Sequence, residues 1–133
     1  MKKVLVLMGG FSAERDVSLV SGKGVSQALK NCGYEVLEHD LTDVYNFMET
    51  LKTQKPDVVF NALHGNWGED GAIQSFLDLL QIPYTHSGMH ASLVGMDKHL
   101  TKYIAKTCGI RVAQSQKMTA RQFFANGTVI PMP

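Results

Sequence analysis

Cysteine, charge of one sign and long hydrophobic runs are all scarce in this sequence of 133 residues. The net charge is +1 at pH 7, so no strong field favours nucleic acid or an anionic membrane surface. The longest apolar runs, such as Val4–Met8, are too short to span a bilayer. The run that follows the two N-terminal lysines is also too short for a secretory signal. These absences predict a cytoplasmic protein with neither a nucleic-acid nor a membrane partner.

The two cysteines, Cys32 and Cys108, are too far apart for a CxxC pair or a zinc-finger spacing. Each ends a helical stretch just before a glycine, so we predict buried core thiols in a reducing compartment. His86 and His90 have the spacing of metal ligands on a helix, but Ser87-Gly88 disfavours a helix there and no third ligand is evident. The sequence therefore predicts no metal site.

Two nucleotide-binding motifs are missing as well. Residues 9–13, GGFSA, break the GxGxxG pattern, and residues 22–24, GKG, do not complete a P-loop. A dinucleotide dehydrogenase and a P-loop kinase are therefore disfavoured. A flavodoxin-like receiver or nucleotide sensor is disfavoured too, because residues 9–12 offer neither a carboxylate cluster nor the required glycines.

Strand and helix patterns alternate along the chain. Apolar runs predict buried parallel strands at 3–8, 34–40 and 57–63, with a short strand at 82–88. Helical spacing predicts helices at 16–31, 44–51, 72–80, 91–96 and 98–107. An extended strand at 112–118, a helix capped by Thr119 and closed by Gly127, and the start of another strand at 128–133 follow. This order predicts an α/β fold: a three-layer, open, mostly parallel sheet with helices on both faces.

Two glycine-containing loops follow the first and third predicted strands: GGFSAERD at 9–16 and HGNWGEDG at 64–71. Ligands of open parallel sheets bind at the carboxyl ends of the strands, so we expect both loops at one edge. In the first loop the carboxylate of Glu14 can hold an ammonium group through charge-assisted hydrogen bonds. The alternative is that Glu14 and Asp16 only favour a helix N-terminus.

The second loop predicts an anion site. His64 lies directly at the end of a strand, and Gly65, Gly68 and Gly71 can leave N–H groups free for a carboxylate or phosphate. The alternative is an ordinary turn in which Glu69-Asp70 caps the next helix. Trp67 is either a lid or a partly buried ring.

Three segments resemble those of D-alanine–D-alanine ligases, members of the ATP-grasp superfamily. They are GGFSAERDVSLVSG (9–22), ALHGNWGEDG (62–71) and IPYTHSGMHASLVGMDKHLTK (82–102). His86 stands where this family usually has glycine. The resemblance implies a Rossmann-like, pre-ATP-grasp substrate-binding domain at 1–96, then a linking helix and the start of a truncated central domain at 97–133. We interpret the chain as the N-terminal part of such a ligase and expect it to be inactive alone.

The resemblance also implies a reaction. ATP phosphorylates the carboxylate of one D-alanine, and the amine of a second attacks the acyl phosphate, giving a dipeptide for peptidoglycan precursor synthesis. It implies that Glu14 holds the first ammonium and that His64 lies near its carboxylate and the acyl phosphate. Val17, Ser18 and Gly65 would line the pocket, and Lys98 would approach the ATP phosphates.

ATP, with Mg²⁺ or Mn²⁺, is implied for the full-length enzyme, and no bound cofactor is expected for this chain. A homodimer is also implied. The alternative function is a non-catalytic α/β module that binds a small molecule or only dimerises.

Overall fold

The computed structural model describes residues 1–126, in which three strands alternate with three helices and three further helices follow. In chain order they are β1 (Lys3–Gly9), α1 (Arg15–Asn31), β2 (Glu35–Leu41), α2 (Val44–Gln54), β3 (Val58–Asn61), α3 (Ala72–Leu79), α4 (Met89–Met96), α5 (Lys98–Thr107) and α6 (Ala120–Asn126).

The strands form a parallel sheet in the order β2-β1-β3, so that β1 is central. Alternate side chains of β1 face opposite sides. Leu5 and Leu7 join a core cluster with side chains of α2 and α3, whereas Val6 and Met8 join a second cluster with side chains of α1. The predicted three-layer α/β fold is therefore confirmed, and β1 is apolar from Val4 to Met8 because both of its faces are covered.

Helix α1 lies close to the sheet because it carries a glycine at the point of contact. A Cβ added to Gly22 would lie 2.6 Å from the Cβ of Met8. Gly24, by contrast, has nothing within 4 Å of such a Cβ. Gly33 closes the helix as predicted, just after the C-cap residue Cys32, and its φ of +83° suits glycine.

The predicted short strand at 82–88 is reduced to a single parallel bridge between Val59 and Tyr84. Two backbone hydrogen bonds hold it: the N–H of Val59 donates to Pro83 O at 2.9 Å and the N–H of Thr85 donates to Val59 O at 3.1 Å. The segment then turns at His86 instead of continuing along β3.

The chain divides into two units, Met1–Asp97 and a second unit that begins at Lys98. Within the second unit, α5 has no buried residue. The predicted cap of α6 is formed by reciprocal hydrogen bonds. The N–H of Gln122 donates to Thr119 Oγ1 at 3.2 Å, and the N–H of Thr119 donates to Gln122 Oε1 at 2.8 Å.

The sequence predicted two strands in this C-terminal region. The predicted strand at 112–118 is not formed; the segment has no regular structure and no strand partner among residues 98–126. Gly127 and the predicted strand at 128–133 lie outside the described residues. In the described part of the chain, no helix has both the length and the apolar character needed to cross a membrane.

The prediction of buried cysteines is wrong, since Cys32 and Cys108 are both exposed. Cys32 occupies the C-cap of α1, where its N–H donates to Ala28 O and Leu29 O. Cys108 follows α5, which has no buried residue to pack against.

Candidate functional site

The loops that follow β1 and β3 meet at the carboxyl edge of the sheet. With the strand and helix bounds of the structure, the first loop comprises residues 10–14 and the second loop comprises residues 62–71. The hydroxyl of Ser12 donates to His64 O at 2.7 Å, which joins the two loops directly. A Cβ added to Gly65 would lie 2.5 Å from Glu14 Oε2. The predicted meeting of the loops that carry Glu14 and His64 is therefore observed.

The first loop is anchored to β2 by an ion pair. Nη1 and Nη2 of Arg15 donate to the two carboxylate oxygens of Asp40 at 2.7 and 2.5 Å, and these hydrogen bonds raise the pKa of the Arg15 guanidinium. Nη1 also contacts Gly10 O at 3.3 Å. Gly9, at φ +80°, leaves room for the pair, because a Cβ there would lie 2.0 Å from Asp40 Oδ1. No pattern in the sequence indicates this anchor.

Glu14 begins α1 but does not cap it with its side chain. Its N–H donates to Ser12 Oγ at 3.1 Å, which fixes the backbone at the junction. The side chain is exposed, and within residues 1–126 no hydrogen bond or ion pair engages its carboxylate. An anchored backbone thus presents a free carboxylate at the meeting point of the two loops.

His64 follows β3, and its ring lies between a hydroxyl and a carboxylate. Its Nε2 lies 3.3 Å from Ser21 Oγ, and its Nδ1 lies 3.6 Å from Glu69 Oε1. The carboxylate favours the tautomer with its proton on Nδ1, which leaves Nε2 to accept from the Ser21 hydroxyl. About a third of the side chain is exposed, at 33%.

The second loop engages two of the three glycine N–H groups that we predicted to be free for an anion. The N–H of Gly65 donates to Glu69 Oε2 at 2.9 Å, and that of Gly68 donates to Gly65 O at 3.2 Å. The N–H of Trp67 donates to Asp70 Oδ2 at 2.9 Å. Gly65 is also buried. A carboxylate and a carbonyl of the loop therefore occupy amides that we assigned to an anionic ligand.

Two buried amide side chains hold the second loop in place through hydrogen bonds to its backbone. Nδ2 of Asn61 and Nε2 of Gln74 both donate to Gly68 O, at 2.8 and 2.7 Å. Oδ1 of Asn61 accepts from the N–H of Leu63 at 3.1 Å. Trp67 is half-exposed and its ring meets Phe11 edge-on at 5.8 Å.

The remaining predicted residues occupy different environments. Ser18 is fully buried; its hydroxyl donates to Ala62 O at 2.7 Å and accepts from the N–H of Gly9 at 2.9 Å. It therefore ties the strand ends together and is not free to contact a substrate in this structure. Val17 is exposed on the first turn of α1. Lys98 is the exposed first residue of α5, in the second unit.

Sequence reasoning missed three side chains that shape this edge: Ser12, Ser21 and Glu69. A signal for Ser21 was present, because Glu14, Ser18 and Ser21 have i, i+4 and i+7 spacing, which places them on one face of α1. The contact of Glu69 with His64 has no comparable signal. Among the described residues, no group of three or more His, Cys, Asp or Glu side chains is placed to hold a metal ion.

The family model described as the D-ala D-ala ligase N-terminus matches residues 42–87, which include β3 and the second loop. Among curated relatives, the D-alanine–D-alanine ligase of Parvibaculum lavamentivorans is 49% identical over 136 residues, covering 99% of this chain and 42% of the relative. The D-alanine–D-alanine ligase B of Brucella suis is 55% identical over 117 residues, covering 88% of this chain and 37% of the relative.

Solved structures agree with this assignment. The crystal structure of the Bacillus anthracis D-alanine–D-alanine ligase complexed with ATP has a TM-score of 0.76 and 35% identity, and the match covers 86% of this chain and 39% of that one. This chain thus spans about two fifths of the length of the relatives that it matches.

Proposed function

This chain belongs to the D-alanine–D-alanine ligase family through the N-terminal domain of those enzymes, and we propose that it forms the wall of a D-alanine site in an ATP-dependent ligase. The ligase joins two D-alanines into a dipeptide for peptidoglycan, and this chain holds the first of them. The activity requires the ATP-grasp part of the enzyme, so we expect residues 1–133 alone to be inactive.

One observation carries this proposal: the free carboxylate of Glu14 lies against Gly65, on the loop that also carries His64. D-Alanine is a zwitterion that needs a partner for its ammonium and another for its carboxylate. An exposed carboxylate without an internal partner is available to bind an ammonium through charge-assisted hydrogen bonds. In this proposal Glu14 holds the amine and His64 faces the carboxylate that becomes the acyl phosphate.

Glu69 orients the ring of His64 in this proposal. Its carboxylate lies near Nδ1 of His64 and accepts from the N–H of Gly65. Nε2 of His64, the nitrogen that contacts Ser21, then faces the substrate carboxylate. Val17 contributes an apolar contact one turn along α1.

ATP and Mg²⁺ belong to the longer enzyme. We propose that Lys98 approaches the ATP phosphates from this domain, as the resemblance implies. Residues 1–126 offer no cluster of acidic or imidazole ligands for the metal. We therefore assign no step on Mg²⁺ to residues of this chain, and the domain boundary near residue 97 stays a prediction.

A chimera tests the proposal. Residues 1–133 are joined to the central and C-terminal parts of the Parvibaculum lavamentivorans relative, and D-alanine-dependent ADP release is measured. The chimera should be active. Glu14→Gln should weaken the first D-alanine by about 10- to 100-fold, the loss expected for hydrogen bonds to a charged group.

Asp16→Asn is the matched control, since Asp16 is an exposed acid in the first turn of the same helix. It should leave the KM for D-alanine within about twofold, as expected for a surface substitution. An equal loss of D-alanine affinity in the two variants would mean that Glu14 contributes only a negative charge at the N-terminus of α1.

A second candidate, the dimerisation module, is favoured by an apolar groove of about 590 Å³ whose lining includes Tyr45, Met48 and Leu80. All three side chains are exposed. Sedimentation of the 133-residue chain should show a dimer that Met48→Lys weakens. Val20→Lys, at an exposed apolar position of α1, is the control. A monomer at high concentration would count against this candidate.

A further inference from the structure

Trp67 has a backbone conformation that disfavours its side chain. Its φ is +73°, in the left-handed region, where a bulky residue is a rare outlier. Two other positions of the second loop with positive φ, Gly65 and Gly71, carry glycine. The chain therefore places an indole at a position of this loop where glycine would fit without strain.

Backbone hydrogen bonds hold Trp67 in this conformation. Its N–H donates to Asp70 Oδ2 at 2.9 Å, and its carbonyl accepts from the N–H of Ile73 at 3.1 Å. Burial is a weak reason for an indole here, because the residue is 49% exposed. Strained residues that persist in folded proteins cluster at functional sites, so the position of this ring calls for a functional explanation.

The indole of Trp67 contacts the first loop. Its ring meets the ring of Phe11 edge-on, with the centroids 5.8 Å apart and the planes at 68° to each other. Aromatic pairs favour this geometry. Phe11 is also 49% exposed, and neither ring belongs to a core cluster of the sheet. The two loops are thus joined by a ring contact that lies outside the core.

The ring contact lies beside the hydrogen bonds that order both loops. Ser12, the residue after the first ring, donates through its hydroxyl to His64 O at 2.7 Å. The second ring lies in the turn closed by the N–H of Glu69, which donates to Gly65 O at 2.9 Å. Glu69 also lies 3.6 Å from Nδ1 of His64. Movement of this turn relative to the first loop would therefore shift the ring of His64 relative to Glu14.

We propose that Phe11 and Trp67 are positioning residues, which hold the two loops at the separation at which Glu14 and His64 bind one D-alanine. This inference rests on the proposed function. Neither ring contacts the substrate in this role. The ring contact orders the loops in advance, so that the binding of D-alanine does not have to order them.

Hydrogen exchange of the 133-residue chain tests the ring contact without substrate. Phe11→Leu keeps an apolar side chain and removes the aromatic contact. The N–H of Gly65, which donates to Glu69, should then exchange about 3- to 10-fold faster, the factor that corresponds to the strength of an aromatic pair. Phe11→Tyr keeps the ring and should leave this exchange rate within about twofold.

The chimera with the Parvibaculum lavamentivorans relative tests the effect on binding. Phe11→Leu and Trp67→Leu should each raise the KM for the first D-alanine about 3- to 10-fold and change kcat by less than about twofold. Phe11→Tyr should keep the KM of the parent chimera. The double variant Phe11→Leu/Trp67→Leu should raise the KM no further than either single variant, because the two rings form one contact.

Tyr34→Leu is the matched control. Tyr34 is an aromatic residue of similar exposure, at 42%, and it lies just before β2, at the end of the sheet opposite to the two loops. The substitution removes a ring and should change neither the exchange of the Gly65 N–H nor the KM for D-alanine by more than about twofold.

The outcomes separate this inference from the proposed function. A parent chimera without D-alanine-dependent ADP release would overturn the proposed function, whereas the exchange of the Gly65 N–H tests the ring contact in either case. Unchanged exchange in Phe11→Leu, or an equal change in Tyr34→Leu, would overturn the inference. So would additive effects of Phe11→Leu and Trp67→Leu on the KM.

Discussion

The two loops at the carboxyl edge of the sheet are held in opposite ways. The first loop is anchored from outside, by the Arg15–Asp40 ion pair and by Ser12, and its acid Glu14 stays free. The second loop is held from within, and its acids Glu69 and Asp70 bind its own N–H groups. A glycine-rich loop therefore does not by itself supply free amides. The amides are free only where no nearby carboxylate already accepts hydrogen bonds from them.

The largest expected effect comes from removing the internal brace of the second loop. Asn61→Leu removes two buried hydrogen bonds, to Gly68 O and from the N–H of Leu63, and leaves that N–H buried without an acceptor. We expect a loss of about 2–4 kcal/mol in the free energy of unfolding. Urea denaturation followed by the fluorescence of Trp67, the single tryptophan, measures it.

Asn46→Ala, at an exposed position of α2, is the control and should change stability by no more than about 0.5 kcal/mol. If Asn61→Leu were as mild as this control, the second loop would not depend on an internal brace.

The next effect tests how tightly the second loop folds on itself. A Cβ added to Gly68 would lie 2.4 Å from the Cβ of Leu63 and 2.9 Å from its backbone carbon, so Gly68→Ala forces the loop apart. We expect a loss of about 1–3 kcal/mol. Gly24→Ala, with open space around it, should instead stabilise the chain by up to about 1 kcal/mol. Thermal and urea unfolding of both variants would show opposite signs.

A smaller effect is expected from a variant that frees a backbone N–H of the second loop for an anion, as the sequence predicted. Glu69→Ala removes the carboxylate that accepts from the N–H of Gly65 and lies beside His64. We expect acetate to bind about tenfold more tightly to this variant. A titration that follows the Gly65 amide by NMR measures it. Asp70→Ala, which removes the neighbouring acid, should not improve acetate binding at Gly65.

The smallest effect concerns the strand that anchors the first loop. His39 lies on β2 next to Asp40, is buried, and packs its ring 5.2 Å from Phe47. Its Nε2 has no partner among the described residues. Burial lowers the pKa of His39 below its usual 6.5, although Asp40 opposes this. The unfolded chain therefore binds this proton first as the pH falls.

The contribution of neutral His39 is complete above about pH 6.5 and is lost as the pH falls from there towards the lowered folded pKa. His39→Leu should flatten the dependence of unfolding free energy on pH in that window. His90→Gln, on an exposed histidine of α4, should leave it intact. A dependence unchanged in His39→Leu would show that His39 does not titrate on unfolding.

Much of the fold was predictable because periodicity reports burial directly. Strand β1 has apolar residues on both faces, as a central parallel strand must, and the end of α1 is marked by Gly33. The predictions that failed concern residues whose structure depends on contacts with distant parts of the chain. Residues 112–118 are not a strand, because a strand needs a neighbour to pair with. Cys32 and Cys108 resemble core residues locally but lie where no core reaches them.

The candidate site was predictable in its outline and not in its hydrogen bonds. The rule that parallel strands present their loops at one edge brought Glu14 and His64 together. The hydrogen-bond partners of Gly65 and Ser18 depend on which groups lie within hydrogen-bonding distance in the folded chain. Glu69, four residues along the chain, takes the amide of Gly65, and the β3 end takes the hydroxyl of Ser18. Such contacts follow from loop geometry and leave no spacing signal in the sequence.

The order β2-β1-β3 leaves β2 with a neighbour on one side only in the described part of the chain. An unpaired strand edge can recruit another chain into a growing sheet. Here the strand reads EVLEHDL, with acidic side chains at Glu35, Glu38 and Asp40. Each of these acids is ion-paired within the chain, Glu35 with Lys3, Glu38 with Lys23 and Lys30, and Asp40 with Arg15. A second molecule that added its own β2 to this edge would have to accommodate these charged pairs, which disfavours aggregation through this strand.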